Sequence, residues 1–248
     1  MNTLLVYQRG FSNELEDIKD FLKEHNIEAK PRDQLGFGLY EGKDLVVVLG
    51  GDGTFLRASH YNKDVPIFGI NPRPDQKEGY YMQANFDNYR QELDLDGSFK
   101  VRDLLRLDAS IDGDRIDEIA LNDIYIGDSK PYNMFNYDIT VADQSEFQRS
   151  SGVLTGTPSG SSGWIGSAGL HIKDEDKFGF VARELYRGEL TSDYSLEQGL
   201  IDAGDSLKIK AKTPGIVVVD SVSKEYDLGP GSELEVKVSK HPLLYIIN

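Results

Sequence analysis

The amino-acid sequence predicts an α/β N-terminal domain built on a mostly parallel sheet, followed by a mostly antiparallel β domain. Three observations carry that prediction. Strand and helix patterns alternate through the first 95 residues. The run Asp44–Leu49 is apolar on both faces, as a parallel strand covered by helices must be. Beyond residue 95, short β-type runs follow one another with turn residues between them.

Taken in order, Leu4–Tyr7 reads as a short buried strand. Ser12 or Asn13 can cap the next helix, with Glu16 completing a capping box to Asn13. Leu15, Ile18 and Leu22 then share one helical face. The strand Asp44–Leu49 runs into Gly50-Gly51-Asp52-Gly53-Thr54. A helix is predicted from Thr54 to about Tyr61, and a third strand over Val65–Ile70. This β-α-β-α-β order gives an open, Rossmann-like sheet. Asn71–Gly79 is expected to be a mobile loop. The later runs are Asp117–Ile126, Tyr137–Ala142, Ser206–Lys210, Gly215–Val219 and Glu233–Val238, with turns such as Asp112-Gly113 and Pro230-Gly231 among them. The expected division is 1–95 for the α/β domain, 96–235 for the β-rich domain, and 236–248 for a C-terminal segment able to return to the first.

Composition narrows the function classes. There are 27 basic against 42 acidic residues, a net charge of −15. Nucleic acid is therefore not an expected partner, because phosphate-backbone binding needs clustered Lys and Arg. A small phosphorylated ligand stays open, since local dipoles or a divalent cation can hold one against the mean field. The longest apolar run, Leu45–Leu49, is far too short to cross a bilayer, and no membrane association is expected. The N-terminus lacks a signal-peptide pattern, so the protein is expected to be cytoplasmic. With no cysteine, disulfides, thiolate metal sites and cysteine nucleophiles drop out. His25, His60, His171 and His241 show no metal-ligand spacing and are expected at the surface.

Three constellations carry chemistry. In Gly50–Thr54, at the carboxyl end of a strand, glycines let backbone approach a ligand, and the N–H groups of the turn and of the helix that follows make a phosphate cradle. Asp52 within it would repel a phosphate. Its place there points to holding Mg²⁺ or to taking a proton from an attacking hydroxyl, hence to phosphoryl transfer. A tight turn built for backbone reasons alone is the competing reading. Arg57, one helical turn on, could offer its guanidinium to a phosphate, against a plain solvent-facing arginine. The second constellation runs from Ser150 to Gly169, where fifteen of twenty residues are Gly, Ser, Thr or Ala. A flexible linker is the competing reading; Val153, Leu154, Trp164 and Ile165 would be wasted in one. The third is Leu121-Asn122-Asp123 in a β-type run, where the adjacent polar residues either point to opposite faces of a strand or sit together in a bulge or turn.

In this order and spacing, the three motifs resemble the NAD kinase family. That family carries Gly-Gly-Asp-Gly-Thr, then Asn-Glu, then Thr-Pro-Thr-Gly-Ser-Thr-Ala-Tyr ending in Ser-Ala-Gly. Here Gly50–Thr54 matches fully, and Asn122-Asp123 has Asp for Glu. Thr157-Pro158-Ser159-Gly160-Ser161-Ser162-Gly163-Trp164 matches the third, with Ser167-Ala168-Gly169 in register. The Asn71–Gly79 loop, with Glu78-Gly79, looks closer to the mitochondrial-type branch than to the common bacterial one. Ser151-Gly152 stands where bacterial members have Asp-Gly, and Asp220-Ser221 where the family has Asp-Gly.

The resemblance implies a NAD kinase-like fold and transfer of phosphate from ATP to the 2′-hydroxyl of the adenosine ribose of NAD(H). It implies Asp52 as the catalytic residue acting on that hydroxyl, directly or through Mg²⁺ or another divalent cation. No direct metal-ligand motif is present: the cation would be held by nucleotide phosphates, with Asp52 as the candidate protein ligand. Nucleotide contacts are implied at Gly51, Gly53, Thr54, Arg57, Asn71, Asn122, Asp123, Thr157, Ser159, Ser162, Gly163 and Trp164, with Asn122 and Asp123 on ribose hydroxyls and Trp164 near the nicotinamide. A homo-oligomer, dimer or tetramer, is implied as well. Two alternatives stand beside it. One is a catalytically weak or inactive NAD(H) sensor of the same fold. The other is a lipid kinase sharing the glycine turn, which the polar Ser159–Ser162 stretch disfavours.

Overall fold

A computed structural model of the chain describes residues 1–95, 99–130, 132–189, 193–222 and 224–247. The first elements are β1 (Asn2–Tyr7), α1 (Ser12–Phe21), β2 (Asn26–Pro31), β3 (Leu45–Leu49), α2 (Asp52–His60), β4 (Ile67–Asn71), β5 (Ala84–Asn85), α3 (Tyr89–Glu92) and β6 (Lys100–Leu104). Next come β7 (Leu107–Ile111), β8 (Asp114–Arg115), β9 (Asp123–Gly127), β10 (Phe135–Val141), β11 (Gln144–Ser150), β12 (Gly152–Gly156) and α4 (Trp164–Ser167). The chain continues through β13 (Lys177–Arg183), β14 (Gln198–Asp202), β15 (Ser206–Ala211), β16 (Gly215–Val219), β17 (Glu225–Leu228) and β18 (Glu233–Val238) to β19 (Leu243–Ile247).

Two compact units result, Met1–Leu104 with His241–Asn248, and Leu105–Lys240. The boundaries lie at 104/105 and 240/241 rather than at 95 and 235. The physical reason is a ladder: β6 pairs antiparallel with β19, from Leu104 opposite Leu243 to Lys100 opposite Ile247, so residues 100–104 belong to the first sheet.

The first unit holds one sheet in the order β2-β1-β3-β4-β19-β6, with β5 also on β4. All its pairs except β6 with β19 are parallel. One face packs Leu5, Val47, Leu49, Phe68 and Ile70 against Ile18 and Leu22. The alternate residues Leu4, Val6, Val46 and Val48 are equally buried, and α2 packs on β1 and β3. Covered on both sides, β3 can be apolar throughout. Two expectations shift. Helix α2 starts at Asp52, two residues before Thr54. The capping box is not made: Phe11 holds the N-cap position of α1 with no side-chain cap, and Glu16 pairs with Lys19 at 2.8 Å.

The second unit is a sandwich of two antiparallel six-stranded sheets, β11-β10-β15-β18-β7-β8 and β14-β13-β12-β9-β16-β17. Ile139, Leu207, Leu234 and Val236 of one meet Ile124, Val153, Phe178 and Val217 of the other in a shared core. The expected strand over Asp117–Ile126 begins only at Asp123; before it, Ala120 makes an isolated bridge to Leu107. The Gly/Ser/Thr-rich stretch is no linker at its start, since β12 is a fully buried strand between β9 and β13.

Candidate functional site

Chain order places the candidate residues of the first unit. From β1 the chain moves to β2 on one side, while from β3 it moves to β4 on the other. The carboxyl ends of β1 and β3 therefore flank the switch point at which open α/β sheets bind ligands. Gly50–Thr54 is the connection leaving β3 at that point. Gly51 is the extended N-cap of α2, with φ −109° and ψ −174°. Among the described residues, the N–H groups of Gly51, Asp52 and Gly53 meet no acceptor. They form the electropositive start of a helix that can take an anion.

Thr54 differs from the expectation. Its N–H already donates to the Gly51 carbonyl at 2.8 Å. Its side chain is fully buried and receives Arg32 Nη1 at 3.1 Å. A Cβ on Gly50 would lie 2.6 Å from Thr54 Oγ1, so the turn closes only with glycine there. Thr54 thus braces the turn from inside. Asp52 points to the loop after β4, where its two carboxylate oxygens accept the N–H groups of Tyr80 at 3.1 Å and Tyr81 at 3.0 Å. Tyr81 is itself fixed by stacking on Phe55 of α2, at 5.1 Å between centroids and 4° between planes. The half-buried phenol of Tyr245 is pushed up to about 12 by desolvation, with the Tyr80 and Asp52 charges adding to it. Arg57 is half-buried. Asn71 is buried and organises its loop: its amide donates to the Lys77 carbonyl at 2.9 Å and its oxygen accepts the Arg73 N–H at 2.9 Å. His60, expected at the surface, is buried at the end of α2.

In the second unit three strand ends converge. Asp123 opens β9, opposite Gly156 at the end of β12, while Val219 at the end of β16 pairs with Ile124. Asn122 is half-buried; Asp123 is 3% exposed. Asn122 lies in the bend just before β9, not in the strand itself, so the pair does not show the strand alternation the sequence suggests. The Asp123 carboxyl takes the N–H groups of Trp164 and Ile165, which begin α4. Desolvation and then the Asp220 charge nevertheless push it up to about 7 against those two amides. Thr157 is buried; its N–H donates to the Asn122 carbonyl at 2.9 Å, and its hydroxyl donates to the Leu121 carbonyl and accepts from Gly160 N–H. Ser159–Ser162 forms a 3-10 turn, with Ser159 buried and Ser162 Oγ donating to the Ser159 carbonyl at 2.9 Å. A Cβ on Gly160 would lie 2.2 Å from the Asn122 carbonyl oxygen, so the turn presses directly on the Asn122 loop. Gly163, the N-cap of α4, sits beside the Asn122 amide and Asp123 carboxylate.

The half-buried Trp164 ring already has two partners. It stacks on Tyr125 at 5.3 Å between centroids and carries the Arg183 guanidinium 5.1 Å from its centroid. Sequence reasoning missed two parts of the site. The amides of Tyr80 and Tyr81 carry no sequence signal. Asp220 was visible only in its dipeptide, while its carboxylate in fact holds the Asn122 loop. Among the described residues, no group of three or more His, Asp or Glu side chains forms a metal site. No helix among them is long and apolar enough to cross a membrane.

An amide-lined turn at the switch point of a parallel sheet, holding one carboxylate, defines a nucleotide-binding protein of the phosphoryl-transfer kind. Residues 16–95 match the family model described as ATP-NAD kinase N-terminal domain. A NAD kinase from Methanoculleus marisnigri is 31% identical over 216 residues, covering 82% of this chain and 74% of that one. One from Methanospirillum hungatei is 30% identical over 268 residues, covering 99% and 94%. The crystal structure of an NAD kinase from Archaeoglobus fulgidus in complex with ATP superposes with a TM-score of 0.81 at 26% identity, covering all of this chain and 94% of that one. The chain belongs to the NAD kinase family.

Proposed function

We propose that this protein is an active NAD kinase, moving the γ-phosphoryl group of ATP onto the 2′-hydroxyl of the adenosine ribose of NAD(H). The observation that carries the reading is Asp52: a carboxylate anchored by two amides within a turn where, among the described residues, the N–H groups of Gly51, Asp52 and Gly53 meet no acceptor. In the step, the 2′-oxygen bonds to the γ-phosphorus as the bond to the β–γ bridging oxygen breaks. The hydroxyl proton passes to Asp52, and ADP leaves. The amides of Gly51 and Gly53 balance phosphate charge from fixed positions, which is most of what phosphoryl transfer asks of a protein.

Asn122 and Asp123 are assigned to the ribose hydroxyls, with Gly163, Ser159 and Ser162 beside them. Asn71 and Thr157 act by shaping the loops they brace, and Thr54 by bracing the turn; Arg57 is assigned to the phosphates. Trp164 lends the nicotinamide end an edge or a rim rather than a stacking face, because Tyr125 and Arg183 already lie against its ring. Mg²⁺ fits the site as a phosphate-held ion with Asp52 as its protein carboxylate; when bound it neutralises charge on the transferring group. A cytoplasmic homo-oligomer, dimer or tetramer, completes the proposal.

The test is a panel of purified protein with NAD or NADH as acceptor and ATP, another nucleoside triphosphate or polyphosphate as donor, with and without Mg²⁺. Product is read as NADP(H) by a NADP-specific dehydrogenase. NADP(H) formed from ATP supports the proposal. Tight NAD binding without product in any arm overturns it in favour of a sensor.

A further inference from the structure

Asp220 sits past the end of β16, on the turn Val219–Val222, which the Val222 N–H closes onto the Val219 carbonyl at 3.0 Å. Its side chain is buried, and its backbone is left-handed with φ 48°. One oxygen of its carboxylate accepts the N–H groups of Asn122 at 2.7 Å and Asp123 at 3.0 Å. The other accepts the Leu121 N–H at 2.9 Å. The Asp220 N–H returns a bond to the Asp123 carbonyl at 2.8 Å. A buried amide without an acceptor is strongly disfavoured, and Leu121 and Asn122 precede the β9 ladder that would otherwise supply one. Thr157 holds the opposite groups of this loop, the carbonyls of Leu121 and Asn122. The loop is thus gripped by its donors from one side and by its acceptors from the other.

We propose that Asp220 is a positioning residue of the acceptor site: by clasping three consecutive amides it presets the geometry in which Asn122 and Asp123 meet the ribose of the dinucleotide. This rests on the proposed function for the identity of the acceptor. Asp220 also acts on Asp123 through its charge. The elements around Asp123 bring no other ionisable side chain: β12, β16, the Ser159–Ser162 turn and α4 contain none. Asp220 is therefore the charged neighbour that raises the Asp123 carboxyl, in addition to burial.

The test is Asp220→Asn. Asparagine tolerates left-handed φ, and its Oδ1 can still take the Asn122 and Asp123 amides, but its amide nitrogen would face the Leu121 N–H. The expected result is a rise of tenfold or more in KM for NAD, with KM for ATP within twofold. The pH midpoint of NAD affinity moves lower, because the charge that raised Asp123 is gone. Ser221→Gly, on the same turn, leaves KM for NAD within twofold. A folded Asp220→Asn protein with unchanged KM for NAD and unchanged pH midpoint overturns the proposal.

Amide hydrogen exchange on the wild type gives an answer even where the variant does not fold. Leu121, Asn122 and Asp123 protected without nucleotide support the clasp, and protection gained only on adding NAD overturns it. Calorimetric titration with NAD reads the same affinities if no NADP is made. Absent turnover then counts against the activity, and the clasp is judged by itself.

Discussion

Asp123 illustrates what a single carboxyl can do to this molecule. Buried beside Asp220, it titrates near 7 rather than in the ordinary carboxylate range. Its folded value lies above its unfolded one. The stabilising proton is therefore fully bound in both states below about pH 4, and its contribution is lost as pH rises toward and past 7. Asp123→Asn escapes that loss. In urea unfolding the variant should gain on wild type between pH 5 and pH 8, by at most about 3 kcal/mol, the loss running at about 1.4 kcal/mol for each step of one in pH until about 7. An equal gap at both pH values contradicts this. Residue by residue, much of the site was legible: Asp52 was marked by its conflict with the phosphate cradle around it. Asp220 was not, because its role is a set of hydrogen bonds to a loop 97–99 residues earlier in the chain. The Thr54 N–H was assigned to the phosphate cradle, whereas it donates to the Gly51 carbonyl within the turn.

At the scale of elements, turns and close approaches decide. Asp220 and Ser221 both have positive φ, 48° and 54°, the pattern of a type I′ turn. An Asp tolerates that region; a Ser there is strained, and glycine would relieve it. Ser221→Gly should stabilise the protein by about 1 kcal/mol, read as a higher denaturation midpoint at unchanged slope; a lower midpoint would contradict the assignment. Strands with strong apolar runs, such as Leu4–Tyr7 and Asp44–Leu49, were legible because burial on both faces leaves a continuous signal. The edge strand β2 was not, since Asn26–Pro31 is only half-buried and mixes Glu and Lys with apolar residues. The capping box failed because the helix begins at Ser12, one residue before the Asn13 cap it required.

At the scale of the whole molecule, an excess of fifteen negative charges repels itself in the compact state. Raising NaCl from about 0.05 to about 0.5 M shortens the screening length from well over 10 Å to a few ångströms, and the thermal midpoint should rise by several degrees; a fall would show the charge to be locally compensated. The chain's return matters more. The β19 strand lies between β4 and β6, inside the first sheet. Truncation after Lys240 would remove Leu243 and Ile246 from the core of the unit that carries Asp52, and should unfold that unit, read by far-UV circular dichroism and loss of cooperative melting. A cooperative, native-like melt would contradict the topology.

The account turns on Asp52 as the group that takes the hydroxyl proton or anchors the cation. Its direct test is NADP formation by Asp52→Asn alongside calorimetric NAD binding. Turnover falling by about 10²–10⁴-fold with NAD affinity within threefold of wild type is the predicted result. Turnover near the wild-type rate would contradict it.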